Sequence, residues 1–428
     1  MSINRLFLVL ILIAIYSVFA PAFKSDFLLK LSFTFFLWAA VAVSVINYLG
    51  SYQLIRSRFD RVGWRLMQLL LLLNLTIIAR SLLTADAALT TALGNPYNAL
   101  AFFAPFAVGF VAQANPLHTL NRFLLVSMMV GLVWLGITFM LGWSDHAGTT
   151  VNSAWALVQP MVFLIGAIGF FGRMTNHALV AGSIILVWNI GLVLGNRTTM
   201  LRVILLYFSR YLNVLPNTII ARFIFPTAIL ILVIFAFQVI SITETGEESV
   251  FQILTNYLQE LASNGAMNVL EKADTRTFLY AEVISDLVRT GELWLGRGSS
   301  GTYFSPYFLQ TGEDSDVRLT VEVGFLVYLL KGGIFAAALN ISIFLFSSYL
   351  AVYKSNNRYM KWAGFMLITH VLILFVENIV ALNLYNICIW LFVGFCLSKD
   401  IRTLRDADIK LLFSNKIGRL TPNGNGNA

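Results

Sequence analysis

The chain has 428 residues, of which 58% are hydrophobic and only 12% charged, with 29 basic and 21 acidic side chains and a formal net charge of +8. Soluble domains carry roughly 25% charged residues, so this composition, with a mean hydropathy of +0.78, excludes a water-soluble domain and identifies a polytopic helical membrane protein. The basic excess follows the rule that Lys and Arg collect in cytoplasmic loops, which removes nucleic acid from the expected partners, and two cysteines, Cys388 and Cys396, in one apolar run exclude a disulfide or zinc framework.

Arg5 followed by Leu6–Ala20 has the outline of a signal peptide, but Pro21 stands where cleavage would occur and many spans follow, so a retained first helix is expected. A bilayer takes runs of about 17–25 apolar residues. Such runs fall near 6–23, 31–50, 66–84, 98–114, 121–142, 154–172, 176–195, 218–240, 332–353, 362–380 and 383–399. A twelfth, 199–214, is short and contains Arg202 and Arg210. Parity requires it. Arg56, Arg58, Arg61 and Arg65 put the loop after the second span inside; Lys354, Arg358, Lys361 and the tail with Lys399, Arg402, Arg405 and Lys410 read the same way. Both sets agree only if the chain crosses once more between Arg173 and Arg222. The expected fold is therefore all-α, with about 12 transmembrane helices and both termini cytoplasmic. Its parts are a bundle over 1–240, an outer loop over 241–331, closing helices over 332–400 and a cytoplasmic tail over 401–428. The tail ends in Asn423-Gly424-Asn425-Gly426-Asn427, where disorder is expected.

The segment 241–317 holds twelve acidic residues and four basic ones (Lys272, Arg276, Arg289, Arg297), a net charge of −8, while the rest of the chain carries 25 basic and 9 acidic residues, a net of +16. An acidic island between apolar runs is the outward-facing loop. Within it, Phe251, Leu254, Leu258 and Leu261 predict a surface helix over 250–262, and a second helical pattern runs from Phe278 to Val288 after Arg276. Gly291 marks a turn, and Gly296-Arg297-Gly298-Ser299-Ser300-Gly301 follows; residues 317–331 read as a partly inserted helix leading into the next span.

Ionisable residues at span ends are functional candidates because charge in a membrane is costly. Arg197 and Arg80 sit near outer span ends, where snorkelling to the interface and ligand binding both fit. His370 and Glu377 share a helical face near the outer end of another span, where a polar contact between helices is the alternative to chemistry. Arg297 lies between two glycines that allow backbone amides to approach a ligand, although tight turns also need glycine. Several arginines at one membrane face suit a diphosphate, whose oxygens a guanidinium grips in pairs. No P-loop, paired metal carboxylates or nucleotide fingerprint is present, so neither metal nor cofactor is expected.

Four features resemble the bacterial O-antigen polymerase and ligase superfamily of membrane glycan-assembly proteins. They are Asn196-Arg197-Thr198; Thr275-Arg276 before a helix that ends in Leu295-Gly296-Arg297-Gly298, with Gly301 and Tyr303; Glu322-Val323-Gly324-Phe325-Leu326 before Gly332-Gly333-Ile334; and the order of many spans, one late outer loop and a few closing spans. The resemblance implies metal-independent transfer of glycan from undecaprenyl diphosphate to an acceptor sugar at the outer face of the bacterial inner membrane. It implies catalytic roles for Arg197 and Arg276 on the diphosphate and a carboxylate base, for which Asp314, Asp316 and Glu322 stand available and Glu322 is chosen. Arg80, Gly296, Arg297, Gly298, Tyr303 and Arg318 are the expected substrate contacts. Ligases often carry a histidine before the helix that follows the loop; its absence here favours a polymerase, which commonly works with a chain-length regulator protein. A ligase acting on lipid A core, a lipid-linked oligosaccharide flippase and a non-catalytic scaffold are the alternatives.

Overall fold

The computed structural model describes residues 4–19, 27–83, 96–113, 115–140, 157–189, 203–208, 227, 277–305, 317–319, 321–378 and 380–413. These are predominantly helical. The helices are α1 (Arg5–Phe19), α2 (Phe27–Gly50), α3 (Tyr52–Arg58), α4 (Arg61–Leu83), α5 (Pro96–Ala107), α6 (Pro116–Met140), α7 (Arg173–Asn189) and α8 (Thr277–Arg289). After the short strands β1 (Tyr303–Phe304) and β2 (Val317–Arg318) come α9 (Gly324–Tyr353), α10 (Arg358–Leu374), α11 (Leu384–Leu397), α12 (Lys399–Thr403) and α13 (Asp406–Phe413).

Among the described residues, α4, α6 and α9 are long and apolar enough to cross a bilayer, and α2 with α3 makes a fourth if that pair, bent by 73°, counts as one span. The expected twelve are not reached there. Several predicted runs form helices interrupted or shortened by their own backbone. Pro105 removes a helical donor near the end of α5, and the chain tightens into a 3-10 helix at Val108–Ala112. Residues Gln159–Ala167 are wound as 3-10 helix as well. The 14 residues of α11 reach roughly 21 Å at 1.5 Å per residue. The run 218–240, apart from residue 227, the surface helix at 250–262 and most of 199–214 lie outside the described residues.

The outward faces still read as membrane-facing. Phe35, Leu49, Leu72, Val133 and Ile184, on four different helices, are exposed large apolar side chains, a surface that suits hydrocarbon rather than water. Inside, Tyr359, Trp362 and Phe392 from α10 and α11 pack with Phe163, with ring centroids 5.5 Å apart for Phe163–Phe392 and 5.9 Å for Trp362–Phe392. Cys388 and Cys396 are buried in this core. Asn357 and Asn383 start α10 and α11 by accepting the amides of Met360 (2.8 Å) and Asn386 (2.9 Å), capping donors that a helix leaves unpaired.

Long-range bonds sort the loops into two ends. At one, Arg58 pairs with Asp400 at 3.0 Å and donates to Val111 O, Phe59 bridges Ser398, and Arg358 pairs with Asp406 at 3.7 Å. At the other, Arg80 meets Glu292, the Leu382 amide donates to Pro96 O, and the Gly324 amide donates to Glu377 O at 3.0 Å. The arginine-rich loops thus gather at the end opposite the Gly-Arg-Gly segment.

Candidate functional site

The site is organised by a break in α9. Gly333 has φ +66° and ψ −166°, a region that is essentially glycine's alone. A regular helix would bond the Ile334 amide to Leu330 O. Here the Ile334 amide donates to Leu293 O at 3.0 Å, and Leu330 O accepts from the Arg297 amide at 2.7 Å. Lys331 O accepts from the Gly298 amide at 2.9 Å. The loop 293–298 therefore satisfies the backbone groups that the break releases, a requirement wherever irregular backbone lies among apolar spans. Approach is close enough to need glycine on both sides. A Cβ at Gly296 (φ +63°) would stand 2.6 Å from the nitrogens of Gly332 and Gly333, and one at Gly333 would stand 2.2 Å from the Trp294 carbonyl.

Arg297 locks this loop to α8. Its Nε donates to Glu292 Oε2 at 2.7 Å, Nη1 to Asp286 Oδ2 at 2.6 Å and Thr302 O at 2.7 Å, and Nη2 to Thr290 Oγ1 at 2.9 Å and Asp286 O at 3.3 Å. A guanidinium has five N–H groups, and all five are used. Asp286, 5% exposed, also accepts from Arg289 at 2.6 Å and from the Phe304 amide at 3.2 Å. Burial alone would raise the Asp286 carboxyl; the bonds from Arg297, Arg289 and the Phe304 amide outweigh it and hold it below the usual carboxylate range. Burial likewise pulls Arg297 down, and Asp286 with Glu292 more than restores it, so the cation is held charged.

The other end of α8 is tied down too. Tyr280 donates to Phe375 O at the end of α10 and stacks on Phe325, which stacks on Phe375 at 4.7 Å. Lys331, 3% exposed, reaches from α9 to Gly301 O and to Leu319 O (3.0 Å), joining the two strand segments to the broken helix. Ser81 of α4 receives the Ser299 hydroxyl at 2.9 Å and the Ser300 amide at 3.0 Å.

Of the residues expected to bind substrate, the structure brings Arg80, Gly296, Arg297 and Gly298 together. Arg80 donates to Leu295 O at 3.0 Å and lies 3.9 Å from Glu292, with its side chain partly exposed. Arg297 departs from the expected ligand contact: its donors are all committed to protein acceptors. Tyr303 is buried in the core and pairs with Arg318, which is half-buried, across the β1–β2 ladder, so the tyrosine packs the loop. Glu322 is exposed just before α9; the segment 324–332 separates it from the break by roughly 13 Å of helix at 1.5 Å per residue. Arg197, Arg276, Asp314 and Asp316 lie outside the described residues; α8 begins one residue after Arg276. His370 is buried with its ring against Phe344 and Tyr385, aromatic contacts rather than the polar helix-to-helix contact weighed for it. Sequence reasoning missed Asp286, Glu292 and Lys331. Asp286 had a signal: it falls on the apolar stripe of Leu279, Val283 and Leu287, where a carboxylate calls for a buried cation.

No family model, curated protein or solved structure matches the chain.

Proposed function

We propose that this chain polymerises lipid-linked polysaccharide repeat units, as a member of the O-antigen polymerase and ligase superfamily with about twelve spans and cytoplasmic termini in a bacterial inner membrane. Glycan passes from undecaprenyl diphosphate to an acceptor repeat unit at the face of the 241–331 loop, without a metal. The observation that carries the reading is the rigid frame that starts one residue after Arg276. Helix α8, the Arg297 clasp and the break in α9 form one hydrogen-bonded unit fixed to the bundle at Phe375, Leu330 and Lys331. Charge stabilisation of a leaving diphosphate depends on cations placed in advance, and a frame that begins beside Arg276 supports that reading.

In this mechanism Arg197 and Arg276 hold the diphosphate. An acceptor hydroxyl attacks the anomeric carbon, the bond from that carbon to the diphosphate oxygen breaks, and the electron pair leaves with the diphosphate. The hydroxyl proton passes to a carboxylate, assigned to Glu322. Arg297 is a positioning residue acting through Asp286 and Glu292, and Arg80, partly exposed beside Leu295, is a further cation assigned to the phosphates.

Arg197→Ala and Arg276→Ala should each abolish long-chain glycan while the protein accumulates normally; unchanged polymer from either variant removes that arginine from the mechanism. Arg276→Lys should also be severely impaired, because an ammonium cannot make the paired contact. Purified protein should lengthen lipid-linked repeats in detergent. Product on lipid A core would instead mean a ligase, and translocation without elongation a flippase.

A further inference from the structure

Two arginines with little solvent access are treated in opposite ways by this fold. Arg297 spends all five N–H groups on protein acceptors. Arg402, whose side chain is 6% exposed, makes one hydrogen bond, from Nη1 to Lys354 O at 3.4 Å. Its Nη2 is 4.0 Å from the Asp60 carboxylate, beyond hydrogen-bonding reach, and its Nε is buried with no acceptor. A guanidinium does not shed its proton, so this charge stays buried and short of acceptors.

Two further polar atoms are orphaned at the same corner. Ser398 Oγ is buried with no hydrogen-bond partner; Ser398 occupies the N-cap position of α12 without capping it, and its carbonyl accepts the Arg402 amide at 3.3 Å. Ser355 Oγ is likewise buried and unpartnered. Ser355 follows Lys354, whose carbonyl touches the guanidinium, and precedes Asn356, whose amide donates to Arg402 O at 2.8 Å. Three groups able to donate hydrogen bonds, on two segments of chain joined by the Asn356–Arg402 and Arg402–Lys354 bonds, are thus left with no protein acceptor. The nearby carboxylates are mostly engaged: Asp400 pairs with Arg58 and Asp406 with Arg358, leaving Asp60 opposite Arg402. Exposed Lys354 and Lys399 add positive charge.

We infer that this corner, at the arginine-rich end of the bundle, binds a phosphate-type oxyanion through the Nε edge of Arg402 and the hydroxyls of Ser355 and Ser398. A guanidinium edge matches two phosphate oxygens with parallel N–H groups, and the hydroxyls supply donors to the remaining oxygens. The oxyanion comes from solution or from a phospholipid headgroup at the bundle's edge. The site is independent of the glycan chemistry at the opposite end.

The test is thermal unfolding of the purified full-length chain in a neutral detergent at constant ionic strength. In one arm inorganic phosphate replaces chloride; in the other, phosphatidylglycerol is added to phosphate-free micelles. A saturable rise of several degrees is expected in at least one arm. A rise with inorganic phosphate identifies the free ion, and a rise with phosphatidylglycerol alone identifies the headgroup. Arg402→Gln should lose the rise, and the double variant Ser355→Ala with Ser398→Ala should need at least tenfold more ligand for it. No rise in either arm, as expected of a corner filled by water, overturns the inference; so does the same rise in Arg402→Gln. If Arg402→Gln does not fold, the serine variant decides, and an unchanged ligand dependence there refutes the site.

Discussion

Replacing Arg297 with Met separates two roles for this residue, a ligand contact and a structural clasp. The substitution keeps much of the side chain's apolar length and deletes five donors, four of them at 2.6–2.9 Å. Its main victim is Asp286, a carboxylate 5% exposed. Breaking a buried ion pair by removing one partner costs about 3–5 kcal/mol. Arg289 still holds one Asp286 oxygen, which puts the cost at the lower end of that range. Glu292 adds little, since its side chain is 34% exposed and solvent screens it. At about 1.4 kcal/mol per factor of ten, amide exchange in the segment should accelerate about a hundredfold or more. Hydrogen–deuterium exchange across 277–305 reads this directly, with the Phe304 amide, bound to Asp286 Oδ2, the most sensitive reporter. Exchange and melting identical to the parent, with glycan synthesis abolished, would refute the clasp and restore Arg297 as a ligand contact.

Gly296→Ala and Gly333→Ala should each destabilise the loop by about 2–5 kcal/mol, combining a positive-φ penalty of about 1–2 kcal/mol with overpacking against backbone of about 1–3 kcal/mol; parental melting temperatures would show that the interlock at the α9 break is not tight. Asp286 has a depressed carboxyl, so its contribution to stability is complete above the ordinary carboxylate value of about 3.9 and is lost as pH falls through that value towards its own. Melting followed from about pH 6 down to pH 3 should steepen in the parent and flatten in Asp286→Asn; parallel curves would remove Asp286 as the titrating group.

Much of this arrangement was legible in residue order. The apolar runs predicted helices, and the pattern from Phe278 to Val288 became α8. The helix foreseen over 317–331 is present from Gly324, with the strand Val317–Arg318 ahead of it. The separation of basic loops from the Gly-Arg-Gly segment, read from charge, appears as two ends joined by different sets of bonds. Among the described residues fewer helices reach spanning length than the apolar runs predicted, because hydropathy does not register where a proline or a 3-10 stretch interrupts a helix.

Composition and periodicity by themselves determined the helical, apolar class of the chain and the helix that follows Arg276, because solvent preference and the 3.6-residue repeat are carried by neighbouring residues. Tertiary structure decided what Arg297, Lys331 and Arg402 do. All three are basic residues in or beside apolar sequence, yet one is saturated by Asp286 and Glu292, one rests on two carbonyls and one is left short of acceptors. Hydrogen-bond partners drawn from distant segments are chosen by packing, and a helix that opens at Gly333 shows its consequence only when the loop that fills the opening is in place.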